Sequence, residues 1–108
     1  MNYIKINIYS STVNFTKLDI NLDEKIVMLN KEKITLEDND FFTIVNYVFD
    51  VIKKWDNIEK VELGTDIEIE VMIKMTEMEK KYVFTNEVPV NMHKIYELIN
   101  DLEKIKYD

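Results

Sequence analysis

The only imidazole in the chain, His93, stands four residues before Glu97. On a helix that spacing puts both on one face, where a carboxylate could orient a general base. No Ser, Cys or second His is tied to them by spacing. The expectation is therefore a solvated pair contributing a few tenths of a kcal/mol, at roughly the level of other helix-surface pairs. Asp38-Asn39-Asp40 spells the start of a calcium loop, which also needs Gly at its sixth position and a bidentate Glu at its twelfth. Thr43 and Phe49 occupy those places, so the acids are expected to complement the positive end of a helix instead. Glu68 and Glu70 would share one face of a strand about 6.6–6.8 Å apart, a spacing compatible with an inverting carboxylate pair. On an open sheet there is no cleft to enclose a substrate, and charge alternation at a solvated surface explains them.

What is missing excludes more chemistry than what is present suggests. The sequence has no Cys, Arg, Ala or Gln, and one each of Gly (Gly64), Pro (Pro89), His and Trp (Trp55). Without Cys there is no thiol nucleophile, disulfide or zinc–thiolate site. Without Arg there is no bidentate clamp for phosphate or carboxylate, and one Gly cannot build a phosphate-cradling loop. No catalytic, cofactor or metal residue is assigned, and the expectation is a protein that is not an enzyme.

The formal charge is −7 over 108 residues, with 46% apolar and 32% charged residues, which fits a single globular domain spanning residues 1–108. Such a charge repels duplex nucleic acid and anionic membranes and attracts a basic protein partner. Mimicry of DNA itself is weak. A duplex presents a charge about every 1.7 Å, whereas seven net charges spread over a domain about 34 Å across give roughly one per 5 Å. The first residues start a strand pattern with no signal-peptide core, and no apolar run reaches the ~18–20 residues of a membrane span, so a cytoplasmic location is expected.

The elements that must position any site follow from periodicity. In Asp66–Met75 every odd position is apolar, and the even positions are charged except Met72. That period of two marks a half-buried strand. Lys80–Asn86 is its partner, and a turn over Thr76–Glu79 with Met75 opposite Lys80 places Ile73 opposite Tyr82 and Val71 opposite Phe84. Tyr3–Tyr9 alternates with Ile4, Ile6 and Ile8 inward. Leu18, Ile20 and Leu22 form a second strand, with Phe15 out of phase through a bulge or a later strand start. Closing at Asp23-Glu24 puts Ile20 opposite Val27 and Leu18 opposite Leu29. A helix is predicted from a Thr35 cap to about Trp55, with Phe41, Val45, Val48, Ile52 and Trp55 as its stripe. Asp56–Gly64 is a connector with Gly64 as its positive-φ site. A last helix starts around an Asn91 cap and buries Met92, Ile95, Ile99 and Leu102.

The predicted architecture is α+β: a single antiparallel sheet of about five strands, in the order βββ-α-ββ-α, with two helices packed on one face. The other face stays open. It collects Tyr3, Tyr9, Asp19, Met28, Glu68, Glu70 and Met72, with Ile26 and Val83 among them. Aromatic residues and methionines fringed by charge have the composition of a protein-contact patch. The functional expectation is a non-enzymatic protein-interaction module, an inhibitor or immunity-type protein of bacterial or phage origin, which binds a basic protein through that face. The alternatives are a homo-oligomer formed through the same face or an edge strand, and a small-ligand binder or enzyme with a pocket between helices and sheet. The inward positions are almost wholly Ile, Val, Leu and Phe, which counts against the last.

Overall fold

The computed structural model describes residues 1–11, 15–63 and 66–107. The chain runs β1 (Tyr3–Ser10), β2 (Thr16–Asn21), β3 (Ile26–Leu29), β4 (Glu32–Ile34), α1 (Asp38–Ile52), β5 (Lys60–Glu62), β6 (Ile67–Met75), β7 (Met78–Thr85), β8 (Glu87–Pro89) and α2 (His93–Tyr107). Six strands form one antiparallel sheet in the order β4-β3-β2-β1-β6-β7, and β5 pairs with β8 in a separate two-stranded sheet. The architecture is the α+β one expected from the patterning, but with eight strands in two sheets where about five in one sheet were predicted. The two additions are β4 and the β5–β8 pair, each only three residues per strand and too short to show a periodicity.

Alternation dictates the inside. Ile4, Ile6, Ile8, Leu18, Ile20, Val27, Leu29, Ile34, Ile69, Val71, Ile73 and Phe84 are all buried on one sheet face. They form one cluster with Phe41, Val45, Val48, Val51 and Ile52 of α1 and Ile95, Leu98, Ile99 and Leu102 of α2. The Cα envelope is 38 × 35 × 19 Å, and its short dimension is that of one sheet plus one helix layer. The helices run antiparallel. Tyr47 Oη of α1 donates to the Lys94 carbonyl near the start of α2 (3.1 Å), and the Lys106 ammonium near the end of α2 meets Glu32 of β4 (3.3 Å).

The β2–β3 hairpin has the predicted register, Leu18 opposite Leu29 and Ile20 opposite Val27. Its turn is an Asx turn, with Asn21 Oδ1 accepting from the Asp23 and Glu24 amides (3.0 Å each) and Lys25 at φ 56°. Phe15 is out of phase because β2 starts after it, at Thr16, and Leu22 falls in the turn. Asn30 and Lys31 close β3–β4 with φ of 52° and 70°, as a two-residue type I′ turn requires.

The β6–β7 hairpin corrects the sequence reading. Met75 pairs with Met78, so Ile73 faces Lys80, Val71 faces Tyr82 and Ile69 faces Phe84, two residues away from the predicted register. A shift of two leaves every side chain on its own face, so the burial pattern cannot detect it; turn length decides. The turn is Thr76-Glu77 alone.

The helix ends also differ. α1 begins after Glu37, with no side-chain cap, and Thr35 lies outside it. It ends at Ile52, where the Lys54 and Trp55 amides bond to Val51 and Ile52 three residues back, tightening the last turn. Trp55 is nevertheless 2% exposed. Its ring meets Tyr82 and Phe84 edge-on at 5.4 and 5.2 Å, and Nε1–H donates to Asn91 Oδ1 at 2.8 Å. Asn91 does not cap α2 with its side chain. Its Nδ2 donates to the Val51 carbonyl (3.1 Å), so one buried amide ties the end of α1 to the approach to α2. Gly64 lies outside the described residues. The left-handed position that redirects the chain here is Asn86 (φ 59°), between the main sheet and the small one.

Candidate functional site

The register lays out the uncovered sheet face in rows. Lys33, Met28, Asp19, Lys5, Met72 and Lys81 are successive cross-strand neighbours from β4 to β7. Beside them run Ile26, Asn21, Tyr3, Lys74 and Glu79 on one flank, and Lys17, Asn7, Glu70 and Val83 on the other. Tyr9, Glu68 and Thr85 form the last row. All seven residues predicted for the contact face, Tyr3, Tyr9, Asp19, Met28, Glu68, Glu70 and Met72, therefore stand on this one surface. Tyr9 and Glu68 are direct partners across β1–β6, and so are Asp19 and Met28 across β2–β3.

The face is more apolar than its charges imply and less acidic than the chain. Val83 is 50% exposed, and Tyr9 stacks on Phe15 with ring centroids 4.6 Å apart. Lys5 lies over the Tyr3 ring (4.8 Å), while Lys17–Asp19 and Lys81–Glu70 are long ion pairs at 3.9 Å. Lys5, Lys17, Lys33, Lys74 and Lys81 nearly balance Asp19, Glu68, Glu70 and Glu79, so the excess negative charge of the molecule lies elsewhere. On this face Asn7 Oδ1 and Asp19 Oδ1 are buried acceptors that no described residue satisfies. Each such group costs on the order of 1–3 kcal/mol. At the end of the face a recess of about 380 Å³ opens between Tyr9, Asp66, Glu68, Thr85 and Asn86.

The residues weighed for catalysis are not assembled. His93 makes no ion pair with Glu97 among the described residues; its Nδ1 lies 3.3 Å from the Val90 carbonyl at the surface. Asp38 and Asp40 occupy the first turn of α1, with Asp38 meeting Lys25 at 3.4 Å. Among the described residues no three His, Asp or Glu side chains converge as a metal site would. At the far edge of the sheet Asp56 accepts from the Lys80 ammonium and from Tyr82 Oη (3.2 Å). The Lys80 hydrogen bond holds the Asp56 carboxyl below the usual range, and reciprocally Lys80 is raised.

A second concave surface lies on the opposite side of the molecule, between the helices, and periodicity alone gave no hint of it. Asp40, Thr43, Ile44 and Tyr47 face it from α1, and Glu97, Leu98, Asp101, Leu102 and Ile105 from α2. The groove holds about 390 Å³. Leu98 and Leu102 form its buried floor, and Ile105 is 44% exposed at its rim. No lysine lines this end, and Asp40, Glu97 and Asp101 make no ion pair among the described residues. Burial first, then the Glu97 and Asp101 carboxylates, push the Tyr47 hydroxyl above its ordinary value. Past Tyr47 the furrow changes sign, lined by Lys53, Lys54 and Lys94 with Asp50. The spacings of Asp40, Ile44 and Tyr47, and of Asp101 and Ile105, were available in the sequence; that the two helices face each other antiparallel was not.

Among the described residues no helix is long and apolar enough to cross a membrane. Compared with protein-family models, with characterised proteins and with solved structures, the chain matches none.

Proposed function

We propose that the protein is a non-enzymatic interaction module, of the inhibitor or immunity type, that engages a protein partner in the cytoplasm through its open sheet face. The observation that carries this reading is the gathering of Tyr3, Tyr9, Asp19, Met28, Glu68, Glu70 and Met72 on one flat surface that neither helix covers. A net charge of −7 favours a basic partner. Since the face itself is nearly neutral, that attraction acts at long range, on the rate of encounter rather than on contacts within the interface.

The test is a triple variant, Glu68→Lys, Glu70→Lys and Tyr9→Ala, used as bait beside the native protein. The cognate partner is lost from the variant's pull-down while the melting curve stays nearly unchanged. Undiminished capture by the variant sinks the assignment of this face.

A second reading, self-association, has its own observation. β7 is an eight-residue strand with no neighbour beyond it in the six-stranded sheet, the condition under which an edge recruits another chain. Light scattering at high micromolar concentration decides it: a strict monomer removes this reading.

A further inference from the structure

The geometry points to the groove between α1 and α2 as a docking site for a basic amphipathic helix of a partner protein. This rests on the chain being a protein-binding module, but not on the sheet face being the surface used.

The shape selects the occupant. Asp40 to Tyr47 is two turns of α1, about 10.5 Å, the length over which a docked helix presents anchors at i, i+4 and i+7. The opposite wall, Glu97 to Ile105, is about 12 Å long. The floor of Leu98 and Leu102, with Ile44 and Ile105 above it, accepts the apolar stripe of such a helix. Its flanks would meet Asp40, Glu97 and Asp101, carboxylates with no ion-pair partner of their own among the described residues. Lysine or arginine there supplies the missing charge, and acidic flanks would be repelled.

The change of sign along the furrow narrows the choice. Basic flanking residues belong at the end marked by Asp40 and Ile105, away from Lys53, Lys54 and Lys94. A second copy of this chain fits poorly. Two-fold pairing about Tyr47 would match the charges, but it would lay the lysine end of one molecule over the apolar floor of the other.

The test is a titration of the ¹⁵N-labelled protein with a synthetic helical peptide of about 14 residues, carrying a Leu stripe at i, i+4 and i+7 between lysines. A scrambled peptide of identical composition serves as control. Saturable shifts are expected at Ile44, Tyr47, Leu102 and Ile105, with affinity at least about tenfold above the scramble. The variant Asp40→Asn, Glu97→Gln, Asp101→Asn weakens binding by about tenfold at low salt, and Ile105→Asn, which removes apolar wall without adding an attractive charge, weakens it by a similar factor. All the altered side chains are exposed, so the melting temperature reports that the variants fold. Equal binding of the scramble, shifts on the β1–β6 face, no saturable binding, or preference for an amphiphilic amine over the peptide would each overturn the inference. The Glu68→Lys, Glu70→Lys, Tyr9→Ala variant separates the two proposals. It keeps the peptide if the groove is the site even where its cognate partner is lost, and loss of the peptide in this variant also overturns the groove.

Discussion

The two sides of this molecule present opposite solutions to being a surface. The open sheet face is built from residues that take no part in the core, because in a strand each outward side chain is independent of its inward neighbours. The helix side shares residues with the core: Leu98 and Leu102 are at once floor of the groove and buried wall of the protein. The charges divide the same way. Lysines and carboxylates alternate on the sheet face, whereas Asp40, Glu97 and Asp101 concentrate at one end of the helix furrow and Lys53, Lys54 and Lys94 at the other. A net charge summed over the whole chain does not say which side carries it.

That contrast sets the size of mutational effects. The largest should come from the helix layer. Trp55→Ala removes a buried ring and leaves the Asn91 amide oxygen without its indole donor, at a cost of about 3–5 kcal/mol in urea unfolding. A loss under ~1 kcal/mol would mean that the junction of α1, β7 and α2 is not a fixed part of the fold. Asn91→Ala should follow at about 1–3 kcal/mol, since it strands the buried Trp55 indole N–H and removes the amide bond to the Val51 carbonyl, which keeps the Lys54 amide as a donor. At the sheet edge the sign reverses. Lys31→Gly removes a Cβ from a left-handed turn position and should raise stability by up to about 1 kcal/mol. On the open face Met72→Ala should move stability by no more than about 0.5 kcal/mol in either direction. A large loss there would erase the distinction between the two sides.

The smallest effect is one of pH. Asp56 is held below its ordinary value by Lys80, so its contribution is present above the unfolded carboxyl range and is lost as pH falls through the depressed folded value. Lys80 is raised, so its contribution is complete below the unfolded lysine value and is lost only as pH rises through the higher folded one. Both groups are exposed, and the change is a shallow one. Comparing the acid limb of the melting profile with that of Asp56→Asn measures it; identical limbs would show that the pair contributes nothing.

Much of this was legible beforehand, for identifiable reasons. Strict alternation in β1, β2 and β6 assigned the buried face, and that assignment placed all seven residues expected for the contact face on the opposite side. The β2–β3 register followed from matching Ile20 with Val27, since a one-residue slip would have turned the apolar side chains of one strand out to solvent. The same logic failed for β6–β7, because a two-residue slip costs nothing in burial and the Thr76-Glu77 turn carries no Asn-Gly signature. β4 and the β5–β8 pair were invisible at three residues per strand. Asn91, standing before an apolar stripe, reads in the sequence as a helix cap. Its burial beside Trp55 depends on a contact 36 positions away in the chain.

The place of β1 has a consequence for how the chain is made. It sits in the middle of the sheet, with β2 on one side, a few residues later, and β6 on the other, where Tyr3 pairs with Lys74. As the polypeptide emerges, the β1–β4 meander and α1 can assemble from local contacts. One flank of β1 then stays bare until β6 has been synthesised. During that interval an unpaired strand rich in isoleucine is open to any other nascent copy. The pairing that completes the sheet is the sequence-distant one, Tyr3 with Lys74, and pairings of that kind are the slow ones to form.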